Sequence, residues 1–197
     1  MTRRGVDPFI PHELRQAVDA IITERLELLP ITRHLVEVVI AGEREEAERI
    51  VGAKFPDLWP GRALVERAFS CPLEKLRLDP EAWLWGARVL VTRGAHADGH
   101  RRAVGSVVLN GRPGTDGTVE IAYGVDDVWQ GYGFATEGTK AVVAWALDQR
   151  EVARVQACTF PWHRSSQRVL EKVGMHHVGY RETDMFGDLV LYERADS

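Results

Sequence analysis

The sequence predicts a fold of the α/β (α+β) class, with helices flanking a mixed, mostly antiparallel central sheet of six to seven strands. Three observations carry this. Apolar, β-branched runs at Ala82–Thr92 and Arg102–Asn110 are separated by glycine-rich turns, the pattern of adjacent antiparallel strands. A third run, Val119–Val125, passes through a glycine-bearing turn into a stretch of helical periodicity that ends near Gln149. The next apolar run, Val152–Thr159, makes this a β-α-β step, which implies one parallel pair with a right-handed crossover.

The remaining elements follow in order. Residues 1–21 read as an N-terminal extension with a short helix near Glu13–Ile21, and residues 22–197 as a single domain. Arg25–Leu29 alternates as a strand. Thr32 is placed to cap a helix running to about Ala41, and Glu43–Gly52 is a charged helical piece. Ala63–Leu76 reads as a helix interrupted by Pro72, and NGRPGTDG (Asn110–Gly117) is a turn by composition. Phe134, Gly138, Ala141, Val142 and Trp145 form the apolar stripe of the long helix. Ser165–Val173 is a helix closed by Lys172 and Gly174, a basic last turn followed by a C-cap glycine. His176–Glu182 and Asp188–Glu193 complete the chain as two strands joined at Phe186-Gly187.

Composition bounds the function. The 197 residues suit one domain with a sizeable core, and 45% apolar and 27% charged residues are ordinary for a globular protein. A net charge of −4 with both signs dispersed gives no basic face for nucleic acid. Cys71 and Cys158 are too few for a disulfide framework and lack metal-ligand spacing, so free thiols are expected, with a single bridge between them the alternative, and no metal. His96, His100, His176 and His177 likewise show no ligand spacing. The opening MTRRGVDPFIPHEL lacks the apolar run of a signal peptide, and no stretch approaches the roughly 18 apolar residues of a membrane span. A cytoplasmic protein, off the membrane, is the expectation.

The chemistry concentrates in Gln130-Gly131-Tyr132-Gly133-Phe134-Ala135. A strand runs into this turn, which opens directly into a helix. The first N–H groups of a helix lack internal partners and sit at the positive end of its dipole, so an anion is favoured there. Gly131 and Gly133 remove side chains where a phosphate would approach the backbone. No lysine stands where a nucleoside triphosphate loop requires one, and the third glycine of a dinucleotide fingerprint is missing.

Gln130-x-x-Gly133-x-Ala135 resembles the Q/R-x-x-G-x-G/A motif of the GNAT acetyltransferase superfamily. CTFPWHRSSQRVLEKVGM resembles the second signature of the branch containing the ribosomal-protein alanine N-acetyltransferases (RimJ/RimL-like), and TERLELLPIT its first strand. Together the three segments extend the resemblance over roughly residues 22–194. It implies a GNAT-like fold and an N-acetyltransferase that moves an acetyl group from acetyl-CoA to a primary amine, with a longer acyl-CoA such as succinyl-CoA, or a non-catalytic acyl-CoA sensor, as alternatives. The implied partners are the acyl-CoA and an amine acceptor, either a protein N-terminus or a small molecule, and the implied state is a monomer or homodimer. The resemblance assigns the pyrophosphate to the backbone of Gly131, Tyr132, Gly133, Phe134 and Ala135, with Gln130 opening the motif and Thr136 adding its hydroxyl. Val125 would pair with the pantetheine arm. His163 stands where the family usually has an asparagine that contacts the cofactor, so His163 and Ser166 are the implied cofactor contacts from the second helix, and Ser165 is left as the expected helix cap.

Attack of an amine on a thioester needs a neutral amine, oxyanion support and a proton for the thiolate. An α-amine titrates near about 8 and a lysine near about 10.4, so a neutral lysine at pH 7 costs about 3 kcal/mol more. Glu120 is the candidate base or amine-orienting group. Alternation puts it with Ala122, Gly124 and Asp126 on one strand face, opposite Val119, Ile121, Tyr123 and Val125. The alternative for Glu120 is a glutamate at the solvent edge of the strand. Ser166 matches the family's signature serine and lies three and four residues before Val169 and Leu170, on the inward helix face, where it would contact the thioester or relay a proton. The alternative for Ser166 is a capping or packing serine. Tyr123 is a second candidate proton donor, but alternation places it opposite Glu120, so core packing is the favoured reading. Trp59, Trp83 and Trp85 are read as core or pocket lining, and Phe55, Trp59 and Phe69 as shaping the acceptor pocket that the resemblance implies.

Overall fold

The computed structural model describes residues 20–57, 85–184 and 187–195. The expected helix over Ala63–Leu76, and with it Trp59, Phe69, Cys71 and Trp83, lies outside them, as does Phe186. The described chain begins with β1 (Ile21–Ile22) and β2 (Leu26–Pro30), then α1 (Arg33–Ile40) and α2 (Arg44–Val51). The meander follows as β3 (Ala87–Thr92), β4 (Ala103–Leu109) and β5 (Thr118–Val125). A 3₁₀ turn at Asp127–Trp129 leads to α3 (Phe134–Leu147), β6 (Arg154–Thr159), α4 (Arg164–Lys172), β7 (His176–Thr183) and β8 (Gly187–Ala195). Among the described residues the sheet has eight strands in the order β1-β2-β3-β4-β5-β6-β8-β7. Each neighbouring pair is antiparallel except β5–β6. Its edge strand β1 is a correction, since Ile21 pairs with Leu28 instead of ending a helix.

Local chemistry explains the elements. Thr32 is extended, and its hydroxyl accepts from Leu35 N at 3.2 Å, so it caps α1 as the sequence predicts. Gly174, with φ 85°, follows α4 in the left-handed conformation that ends many helices. The first residue of α4 is Arg164, however, with His163 at the cap position and no side-chain cap bond. Ser165 therefore lies inside the first turn and does not cap. Gln167 braces the turn instead, donating to Pro161 O at 2.9 Å and Phe160 O at 3.3 Å.

Two cores lie on opposite sheet faces. One packs α1 and α2, through Leu35, Val36 and Ala47, against Val89, Val91 and Val108. The other packs α3 and α4, through Val142, Ala146 and Leu170, against Leu90, Val107, Val119 and Ile121, with Trp85 in the same cluster. Helix α3 sits close to the sheet because Gly138 has no side chain: a Cβ there would lie 2.7 Å from Leu90 Cδ2. This contact sets the height of the α3 N-terminus above the C-terminal end of β5.

Arg88 is an exception to this apolar pattern. It is 2% exposed, with its guanidinium 5.0 Å from the Trp145 ring centroid. None of its three nitrogens has a hydrogen-bond partner among the described residues. Burial pushes its pKa down to about 10, so it remains charged at neutral pH. An unpaired buried cation opposes folding. Arg88→Met should raise stability by on the order of 1–3 kcal/mol, read as a higher denaturant midpoint at unchanged slope; a lower midpoint would overturn this reading.

Candidate active site

The site begins where β5 and β6 part. Their parallel ladder covers Thr118–Glu120 against Arg154–Gln156. Beyond it, Ile121–Val125 stay paired with β4, and Ala157–Thr159 with β8. The facing edges diverge and bound a cleft of about 1650 Å³. Ala122, Gly124 and Val125 line one wall, Cys158 and Phe160 the other. β5 runs against β4 without a register shift, so its faces alternate as read from sequence: Val119 and Ile121 are core, and Tyr123 and Val125 pack against them.

Gln130, Gly131, Gly133, Phe134, Ala135 and Thr136 line the same cleft. Gly131 and Gly133 have φ of 83° and 84°, values that side chains strain to adopt. The first bond closing α3 runs from Glu137 N to Gly133 O at 3.0 Å. The N–H groups of Gly131 through Thr136 have no acceptor among the described residues. The Gln130 amide donates to Asp127 Oδ1 at 2.8 Å and Val125 O at 3.3 Å, tying the turn back to the end of β5. A Cβ at Gly133 would lie 3.3 Å from Arg25 Nη2, so the missing side chain admits an arginine from the first strands. Tyr132 does not line the cleft. It is exposed and stacks on Phe134, with centroids 6.0 Å apart.

The lining from α4 includes His163, Ser166, Arg168 and Lys172. Arg168 and Lys172 are exposed and, among the described residues, form no salt bridge. Ser166 is met by a group that sequence reasoning assigned to the core. The Tyr123 hydroxyl lies 2.8 Å from Ser166 Oγ and donates to Ser166 O at 2.9 Å. The alternation rule located the Tyr123 ring correctly, but a phenol is long enough to carry its oxygen out of the core to α4.

Glu120 is the last residue of the parallel ladder, at the apex of the opening, but not in the lining. Its carboxylate accepts from Arg181 Nη1 at 3.0 Å, while Arg181 Nη2 donates to Gln156 Oε1 at 3.1 Å. Arg181 had no motif to mark it, and register alone brings it across the sheet. Cys158 is an unbridged, half-buried thiol whose pKa is raised by burial. At the α2 end the lining includes Arg44, Glu48, Lys54, Phe55 and His100. Burial opposes ionisation of Glu48, but bonds from Lys54, Arg44 and Phe55 N outweigh it and hold the carboxyl below its usual value. Phe55 thus borders the cleft. Among the described residues, no group of His, Cys, Asp or Glu is arranged to hold a metal ion, and no helix is long and apolar enough to cross a membrane.

Comparison with known proteins gives a family. A segment of this chain is 37% identical over 62 residues to the probable N-acetyltransferase YjcK of Bacillus subtilis (strain 168). That match spans 32% of this chain and 34% of the length of the curated relative. A GNAT-family acetyltransferase from Bordetella pertussis superposes with a TM-score of 0.59 at 24% identity, covering 90% of this chain and 99% of that one. Mycobacterium smegmatis RimJ, solved in complex with CoA-disulfide, superposes with a TM-score of 0.56 at 19% identity, covering 90% of this chain and 88% of that one. At these identities the structural likeness is one of fold, and it agrees with the mixed, mostly antiparallel sheet expected from sequence. The model of the acetyltransferase (GNAT) domain matches residues 25–176, most of the length, and the chain belongs to that family.

Proposed function

We propose that this chain is an acyl-CoA-dependent N-acyltransferase that moves an acetyl group from acetyl-CoA to a primary amine by direct attack on the thioester. One observation carries the reading: the run of N–H groups from Gly131 to Thr136, without acceptors among the described residues, adjoins the same cleft as the parted edges of β5 and β6. Backbone donors at a helix start suit a pyrophosphate, and a free strand edge suits an amide-bearing arm laid alongside it. Arg168 and Lys172 add positive charge where a polyanion would lie. RimJ of Mycobacterium smegmatis was solved with a CoA derivative bound.

The residues take these roles. Gly131, Gly133, Phe134, Ala135 and Thr136 hold the phosphates, and Val125 aligns the pantetheine amides. The acyl donor supplies the electrophilic thioester carbon. Tyr123 and Ser166 present their paired hydroxyls to the departing sulfur and provide its proton. Glu120, oriented by Arg181, draws the amine to the apex of the opening and accepts its proton. The acceptor enters from the α2 end, past Phe55, and is a protein N-terminus or a small-molecule amine. An α-amine requires the least assistance because more of it is neutral at pH 7.

Two measurements test this. Acetyl-CoA at about 100 times its Kd should stabilise the fold by about 2.7 kcal/mol in a thermal melt, and Gly133→Val should remove that shift; no shift with acetyl-CoA or succinyl-CoA at millimolar concentration would sink the cofactor assignment. With a panel of amines followed by mass spectrometry, wild type should yield an acetylated product. Tyr123→Phe or Ser166→Ala should then lower kcat about tenfold, and the double variant about 10²-fold. Glu120→Gln should lower kcat at least tenfold without changing acetyl-CoA affinity, and wild-type turnover by that variant would remove Glu120 from the chemistry.

A further inference from the structure

The phosphate-facing loop has a structural weakness. Both of its glycines sit in the left-handed region, and glycine loses more freedom on ordering than any other residue. A loop that must present six N–H groups in one arrangement needs a brace from outside. Within the motif, Gln130 ties only the start of the turn back to Asp127 and Val125.

Arg25, more than a hundred residues upstream between β1 and β2, makes four contacts there. Its Nη1 donates to Tyr132 O at 2.9 Å, at the centre of the loop. Its Nε donates to Glu137 Oε2 at 2.7 Å, in the first turn of α3, and Nη2 lies 2.7 Å from the same oxygen. The guanidinium carbon is 5.0 Å from the Phe134 ring centroid. The main chain joins in: Arg25 N donates to Glu137 Oε1 at 2.8 Å, and Thr23 Oγ1 donates to that oxygen at 2.6 Å. Burial disfavours the Glu137 carboxylate, but these bonds outweigh it and hold its pKa below the ordinary value. Arg25 does not line the cleft; it stands behind the loop, against Gly133.

The geometry points to Arg25 as a positioning residue for acyl-CoA, one that holds the Gly131–Thr136 donors in their phosphate-binding arrangement through Tyr132 O and Glu137 without touching the coenzyme. A planar guanidinium spans a carbonyl and a carboxylate at once, in a geometry that lysine's single ammonium does not reproduce. Glu137, one turn from the loop, would repel a pyrophosphate, and the arginine charge offsets it. The inference rests on the acyl-CoA reading and concerns the phosphate half of the ligand alone.

The test compares two acyl donors, acetyl-CoA and S-acetyl-pantetheine, which lacks the phosphates. Arg25→Ala, Arg25→Lys and Glu137→Gln are measured beside wild type. Arg25→Ala should raise KM and Kd for acetyl-CoA at least tenfold with kcat within about threefold, and leave kcat/KM for S-acetyl-pantetheine unchanged. Arg25→Lys should recover less than half of the lost affinity, on a logarithmic scale, and Glu137→Gln should show a smaller loss of the same kind. An equal loss with both donors, or no loss with acetyl-CoA, would overturn the inference. If Arg25→Ala fails to fold, Arg25→Lys and Glu137→Gln decide on the same donor comparison. Wild type that neither binds nor uses acetyl-CoA would overturn the acyl-CoA reading itself, an outcome separate from failure of the brace.

Discussion

The arrangement depends on a limit to strand pairing. β5 keeps β4 on one edge as far as Val125, and β6 keeps β8 as far as Thr159, but they hold each other for three residues only. Past Glu120 and Gln156, each strand has one satisfied edge and one edge turned toward a cleft. Backbone polar groups need partners, so an opening of this kind is stable only where water or a ligand can reach it. The sheet on either side stays continuous because its remaining ladders are antiparallel and its two faces are covered by separate cores. The break is thus confined to one place.

What surrounds the opening is electrically asymmetric. Helix α3 directs its first N–H groups at the cleft from one side, and α4 contributes Arg168 and Lys172. Glu120 and Arg181 lie at the apex as an ion pair, each about a third exposed. A pair so exposed adds little to stability. Its use is geometric, fixing a carboxylate where the strands diverge. The α3 end of the cleft and the apex are thereby built from different groups, backbone N–H donors at one and a carboxylate at the other.

Packing and charge both fix the start of α3. Gly138 lets α3 rest on Leu90, which sets where the helix begins, and Arg25 ties that beginning to the first strands. The loop is therefore held from below by packing and from behind by charge. Arg88 shows the contrary case: burial beneath Trp145 leaves its charge uncompensated among the described residues, and no role in the cleft offsets that.

Much of this was legible in the chain. The β-α-β step, the Thr32 cap and the glycine turn before α3 all follow from periodicity and from the chemistry of helix ends, which act over a few residues. The faces of β5 followed from alternation because that strand carries no bulge. Other features were not legible. Ile21 joins a strand because Leu28 is across from it, not because of its neighbours in sequence. His163 leaves α4 without a side-chain cap, and Gln167 reaches back to carbonyls six and seven residues away. The Tyr123 hydroxyl on Ser166, Arg181 on Glu120 and Arg25 on Glu137 join residues 43, 61 and 112 positions apart. By itself the sequence determined the order of most elements and the glycine turn that opens α3, since both arise from local backbone chemistry. Tertiary structure alone decided which side chains brace that turn and meet in the cleft, since sheet register and helix packing, not sequence distance, bring them within hydrogen-bonding range.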